Sequence, residues 1–99
     1  MKQRIVEIES DLQSLIPGFL KNRNKDILEL QNLINQNQFE EIEKLAHRMK
    51  GSTGSYGFIE MSEIAAHLEN NAKNQNVEEI QRLIEQLKET LDSTEVKFI

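Results

Sequence analysis

A histidine, a lysine and a glycine are spaced so that they share one side of a predicted helix, within the run AHRMKGSTGSYG at residues 46–57. His47 precedes Lys50 by three residues and Gly51 by four. Residues three and four apart are neighbours on a helix surface. An imidazole nucleophile, an ammonium group and a gap therefore lie together. This combination of residue types is suited to carrying a phosphoryl group.

The apolar residues of the same segment predict which way His47 faces. The stripe that must be buried is formed by Phe39, Ile42, Leu45, Ala46 and Met49. At 100° per residue, His47 lies roughly 150° from the centre of that stripe. His47 should therefore point to solvent, where a neutral imidazole is nucleophilic without a general base.

Gly51 is unusual because glycine inside a helix costs about 1 kcal/mol relative to alanine. Helical side chains lean toward the N-terminus, so a side chain at position 51 would cover the ring of His47. The glycine is therefore predicted to leave His47 open to a visiting protein. Three of the four glycines lie between residues 51 and 57, which predicts that the helix ends there.

Five residues of this region resemble the signature of histidine phosphotransfer (HPt) domains, the phosphorelay modules of bacterial multistep phosphorelays: His47, Lys50, Gly51, Ser52 and Gly57. The runs LIPGFLKNR upstream and AAHLEN downstream are similar to that family too, so the resemblance covers nearly the whole chain. The chain departs from the family at Tyr56, where an aliphatic residue is usual, and at Gly54, where alanine or serine is more common.

The resemblance implies a helical module that accepts a phosphoryl group on His47 from the aspartyl phosphate of a receiver domain and passes it to another receiver. It implies that Lys50 offsets the phosphoryl charge and that Gly51 gives clearance. Ser52 and Gly57 are expected to shape the helix end.

Glu69 matches the family position on the following helix that commonly hydrogen-bonds the histidine ring. The expected protein is thus a phosphocarrier and not a self-sufficient enzyme. It needs no cofactor of its own, and Mg²⁺ is expected on the partner. The expected partners are response-regulator receiver domains or a hybrid sensor histidine kinase.

The competing hypothesis is a non-catalytic helical adaptor, or a scaffold that docks receiver domains. A lone histidine on a polar helix face is ordinarily a solvated residue, and His67 is predicted to be one. Glu43 with His47 and Glu63 with His67 are i,i+4 pairs without a third converging ligand, so no metal site is predicted. The glycine-rich run lacks the lysine and hydroxyl residue of a nucleotide-binding P-loop.

Composition limits the class of protein. Ninety-nine residues make one small domain, 1–99. A net charge of -5 without a basic cluster argues against a nucleic-acid partner. The chain has no apolar run of membrane-spanning length and no signal-like N-terminus, so a soluble, cytoplasmic monomer is expected. The absence of cysteine excludes disulfides and thiolate metal sites.

Apolar spacing predicts an all-α fold. A short N-terminal helix is expected at about 3–13, followed by helices at about 15–36, 38–53, 58–73 and 77–94. Ser14 is the predicted N-cap of the second of these, with Pro17 in its first turn, although one kinked helix is an alternative. Asn37 and Asn76 each precede a glutamate by three residues, as in capping boxes. Short polar loops then imply an antiparallel up-down-up-down four-helix bundle.

Overall fold

The computed structural model describes residues 4–99. The first residue of the predicted 3–13 helix and the first three of the predicted domain lie outside the described residues. In chain order the elements are β1 (Arg4–Ile8), a 3-10 helix (Ser10–Leu15), α1 (Ile16–Asn35), α2 (Phe39–Ser55), α3 (Ile59–Lys73), α4 (Val77–Ser93) and β2 (Thr94–Phe98).

The four long helices confirm the prediction of a predominantly helical chain, with ends within about two residues of those expected. Each helix buries the apolar stripe that its sequence predicts, since burial of that stripe is what stabilises a helix of this length. Pro17 lies in the first turn of α1 as expected, where its missing N–H forfeits no hydrogen bond within the helix. Ser14 is not the N-cap, however, because it belongs to the 3-10 helix and Leu15 takes that position.

Three helices end in the same way, with a residue of positive φ two positions after the last helical residue. At the end of α2, Gly57 has φ 88°, the Phe58 N–H donates to the Thr53 carbonyl and the Gly57 N–H to that of Gly54. This is the hydrogen-bond pattern of a Schellman motif, which satisfies carbonyls of the last helical turn.

Asn37 and Gln75 have the corresponding positions after α1 and α3, with φ 56° and 53°. Asn37 therefore closes α1 and does not cap α2, whose N-cap is Gln38 without a side-chain hydrogen bond. Asn76 does cap α4, since its side chain accepts from the Glu79 N–H at 3.4 Å.

The prediction of an N-terminal helix at about 3–13 is wrong. Arg4–Ile8 is a strand, and it pairs in parallel with Thr94–Phe98 to form a two-stranded sheet. The apolar residues Ile5, Ile8 and Leu12 have helical spacing, but the strand pairing satisfies the backbone of this segment through residues about 90 positions away. That partner cannot be recognised from local periodicity.

The sheet closes the bundle at the chain ends. Val6 lies opposite Val96 and Ile8 opposite Phe98, and these side chains are buried or packed against the core. The outward residues are exposed, with Glu7 opposite Lys97. The sheet therefore has an apolar face that packs against the helices and a polar face that is exposed to solvent.

The helices pack in a closed ring, in which α1 contacts α2 and α4, and α3 also contacts α2 and α4. The core between them is almost entirely apolar. At the end of α2, the Phe19 ring stacks on Phe58 with centroids 4.9 Å apart and lies 4.6 Å from Tyr56. Among residues 4–99, none of the helices combines the length and the apolar composition that a membrane span requires.

Candidate functional site

The candidate site lies in the middle of α2, on the side opposite its buried stripe. Leu45, Ala46 and Met49 are buried in the core, whereas the His47 side chain is 66 % exposed. Lys50 is half-buried at the border between the core and solvent. The helix thus holds His47 on its outer surface and directs Lys50 toward α3.

Glu69 on α3 is the residue that connects the histidine to the lysine. Its Oε2 lies 2.8 Å from His47 Nδ1, and its Oε1 accepts a hydrogen bond from Lys50 Nζ at 2.9 Å. The Glu69 side chain is only 14 % exposed. One carboxylate therefore contacts the imidazole and the ammonium together, in the groove between α2 and α3.

The contacts of Glu69 favour its ionised form. The hydrogen bond from Lys50 is the largest cause of a lowered Glu69 pKa, and the hydrogen bond with His47 adds to it. Partial burial acts in the opposite direction, because it disfavours a charged carboxylate. The net result is a carboxylate that stays charged at neutral pH and can only accept hydrogen bonds.

An ionised Glu69 determines which nitrogen of His47 is free to react. Because the carboxylate only accepts, Nδ1 of the neutral ring must carry the proton and donate it. Nε2 then holds the lone pair and belongs to a ring that is largely exposed. The arrangement presents a nucleophilic nitrogen at the surface of α2.

Gly51 and Ser62 complete the surroundings of the site. A Cβ atom built on Gly51 would have no neighbour within 4 Å, so the space above this turn is open. The Ser62 hydroxyl on α3 donates to the Lys50 carbonyl at 2.9 Å. This bond ties α3 to the turn of α2 that carries Lys50, and it was not predicted because nothing in the sequence pairs Ser62 with that turn.

Ser52 lies inside α2, three residues before its end, and faces α1. Its Oγ accepts from Arg23 Nη1 at 2.7 Å and donates to the Met49 carbonyl at 3.2 Å. The Arg23 guanidinium also lies over the Phe19 ring and forms an ion pair with Asp26. Arg23 was missed as a contact of this region, and the only available signal was its position within the run LIPGFLKNR.

The second histidine has different surroundings. His67 is exposed on α3. Its side chain makes no hydrogen bond or ion pair within residues 4–99. The pKa of Glu79 on α4 is lowered mainly by its hydrogen bond with Arg82, and His67 contributes least to that shift. Neither histidine belongs to a group of three or more His, Asp or Glu residues that could hold a metal ion within the described part of the chain.

Of three comparisons with known proteins, one gave a match. The family model described as "Hpt domain" matches residues 14–96, which include α1, α2, α3 and α4. No curated protein and no solved structure gave a significant match. The family match confirms the resemblance to histidine phosphotransfer domains over nearly the whole chain. The chain therefore belongs to the Hpt domain family, whose members are phosphotransfer intermediates of phosphorelays and act as phosphocarriers, not as classical enzymes.

Proposed function

We propose that His47 is the residue that carries the phosphoryl group, and that Nε2 is the atom to which it is attached. The observation that carries this proposal is the shared carboxylate of Glu69, within hydrogen-bond distance of both His47 and Lys50. It orients the ring and retains the Nδ1 proton. It also holds the Lys50 ammonium, one helical turn from His47, as a positive charge that can offset the charge of the phosphoryl group.

The proposed transfer begins with attack of Nε2 on the phosphorus of a receiver's aspartyl phosphate. The P–N bond forms as the bond to the aspartate oxygen breaks, and the aspartate leaves as a carboxylate. The proton stays on Nδ1, so the ring becomes positively charged against Glu69. Transfer to a second receiver reverses these steps and returns His47 to its neutral form.

The remaining electrostatic stabilisation is assigned to the partner. Phosphoryl transfer normally uses Mg²⁺ to offset charge on the transferring group. We place this ion on the receiver domain. Gly51 gives the partner access, and Ser52 and Gly57 hold the end of α2 in shape.

The architecture suits a carrier that a partner must approach closely. We propose that the four helices run up-down-up-down, which is supported by their ring of contacts and by three-residue connections such as Tyr56–Phe58. The monomeric state and the cytoplasmic location expected from the sequence stay predictions.

The direct test is label transfer. The chain is incubated with several phosphorylated receiver domains, and the label is followed over seconds. We expect an acid-labile, alkali-stable label, as for a phosphoramidate, that is absent from His47→Gln. His67→Gln is the matched control, because it removes the other exposed histidine, and it should be labelled normally. Label that persists in His47→Gln contradicts the assignment.

A further inference from the structure

The charge of the chain is divided unequally between the two halves of the bundle. Residues 16–55, which contain α1 and α2, have six basic and five acidic side chains. Residues 59–93, which contain α3 and α4, have three basic and eight acidic side chains. The second half alone therefore carries a charge of -5, equal to the formal net charge of the chain. The half formed by α1 and α2, which carries His47, is therefore much less negative than the half formed by α3 and α4, and the groove that holds His47 and Glu69 lies at the border between them.

Three cations lie within one helical turn of His47, and two of them are already paired. Lys50 donates to Glu69 at 2.9 Å. Lys44 lies 3.6 Å from a carboxylate oxygen of Glu40 and 3.6 Å from one of Glu41. These contacts neutralise part of the positive charge that the two lysines contribute.

Arg48 is the third cation, and within residues 4–99 it makes no hydrogen bond or ion pair. It is exposed and directly follows His47 in the chain. Its neighbours three and four positions away on the helix are Lys44, Leu45, Gly51 and Ser52, none of which is acidic. The local sequence thus leaves the Arg48 guanidinium free, in a protein with an acidic net charge.

We propose that Arg48 is a recognition residue that pairs with acidic side chains of the receiver domain around its phosphorylated aspartate. This inference rests on the proposed function, since it assumes that receivers dock over His47. The Mg²⁺ that we place on the receiver would be held there by carboxylates beside the reacting group. A guanidinium can bind a carboxylate through two parallel hydrogen bonds.

The acidic half of the bundle favours the same orientation of the partner. A partner with an acidic site is repelled by the excess of carboxylates on α3 and α4 and is attracted to the α2 side of the groove, which carries Arg48. Charges at the rim of an interface act mainly on the association rate and on its salt dependence. The expected contribution of Arg48 is therefore to encounter and orientation, and not to the chemical step.

The test compares kcat/KM for transfer from a phosphorylated receiver at about 0.05 M and about 0.5 M salt. Arg48→Glu should lower kcat/KM about tenfold at low salt, and Arg48→Gln should have an intermediate effect. Lys88→Glu is the matched control. It makes the same charge change at an exposed α4 cation without a hydrogen bond or ion pair among the described residues, and should change kcat/KM less than about twofold.

The salt dependence separates recognition from damage to the fold. At high salt the Arg48→Glu and Lys88→Glu proteins should approach the wild-type rate, because screening removes the encounter effect. Equal rates for these two variants at low salt would overturn the inference while leaving the proposed function intact. A loss in Arg48→Glu that persists at high salt also overturns it. Absence of transfer in the wild-type chain would instead refute the proposed function.

Discussion

His47 and Glu69 lie on different helices and 22 residues apart in the chain, yet His47 Nδ1 and Glu69 Oε2 are 2.8 Å apart. The carboxylate fixes the neutral ring with its proton on Nδ1. The geometry of α2 against α3, and not the exposed histidine alone, therefore determines which nitrogen is available to a partner.

The first prediction concerns this tautomer. Glu69→Leu should remove the preference for the Nδ1-protonated ring, which nitrogen NMR shifts of His47 report. Phosphorylation should slow by about tenfold, as expected for the loss of about 1.4 kcal/mol from a hydrogen bond to a charged group. Glu69→Gln keeps an acceptor oxygen and should preserve more of the tautomer than Glu69→Leu. An unchanged ring in Glu69→Leu would separate Glu69 from the mechanism.

A second prediction follows from the lowered pKa of Glu69, whose ordinary value is 4.5. A carboxylate with a lowered folded-state pKa stabilises the fold above its unfolded-state pKa, and this contribution is lost as pH falls through the folded-state value. The difference in unfolding free energy between wild type and Glu69→Gln should therefore be largest above pH 4.5 and shrink in more acidic solution.

Urea denaturation at a series of pH values measures this difference. Lys50→Met removes the largest cause of the lowered Glu69 pKa. In that background the change of the Glu69→Gln effect with pH should be smaller. If it is equally large, the shift does not come from the lysine.

The third prediction separates stability from access at Gly51. Gly51→Gln should stabilise the fold by up to about 1 kcal/mol, because glycine is the poorer helix former and the added side chain meets open space. Phosphotransfer should nevertheless fall, since the side chain leans over His47. Gly18→Gln is the matched control, as Gly18 also lies in a helix with no neighbour near an added Cβ. It should leave transfer unchanged.

The fourth prediction concerns the end of α2. Gly57 has φ 88°, a region that residues with a Cβ atom rarely adopt. Gly57→Ala should therefore lower the unfolding free energy by about 1 to 2 kcal/mol. Gly51→Ala should change it in the opposite direction, by up to about 1 kcal/mol. Chemical denaturation of both variants checks the two signs, and a neutral Gly57→Ala would contradict the argument from backbone conformation.

The sequence was sufficient for the four helices because each has a continuous apolar stripe, and local periodicity is the information that determines such helices. It was insufficient for β1, where Ile5 and Ile8 also fit a helix and the decisive partner is β2. The alternation of Thr94, Val96 and Phe98 with charged residues is the available signal for that strand, but the sequence analysis predicts only a helix that ends at about residue 94.

The candidate site likewise has residues that local spacing predicts and contacts that only the packing of the helices determines. His47, Lys50 and Gly51 follow from spacing on one helix, so their common surface could be predicted. Glu69 was expected beside His47 only through family resemblance. Its hydrogen bond to Lys50 was not predicted, because it depends on how α2 and α3 are rotated against each other. For Arg48, the local sequence shows that no acidic residue lies three or four positions away on the helix, but only the structure shows that no residue of another helix pairs with it within residues 4–99.

The last prediction concerns Lys50 and separates a phosphocarrier from an adaptor. Its ammonium and the His47 ring contact the same carboxylate. Because the two residues are also one helical turn apart, we expect the flexible lysine side chain to reach a phosphoryl group on the ring. A charge-assisted hydrogen bond in this half-exposed site contributes about 1 to 2 kcal/mol, or about tenfold in a rate or equilibrium. Lys50→Ala should keep the fold yet slow phosphorylation of His47 or shift its equilibrium toward the receiver.

Lys50→Glu should have a larger effect, because it places a second carboxylate against Glu69. Lys73→Glu, the same change at an exposed lysine in the last turn of α3, is the control and should transfer normally. Receiver affinity and transfer rate are measured on the same proteins. In a carrier the substitution affects transfer more than binding, whereas an adaptor would lose binding without any chemistry to slow. Unchanged transfer in Lys50→Glu would exclude the lysine from the mechanism.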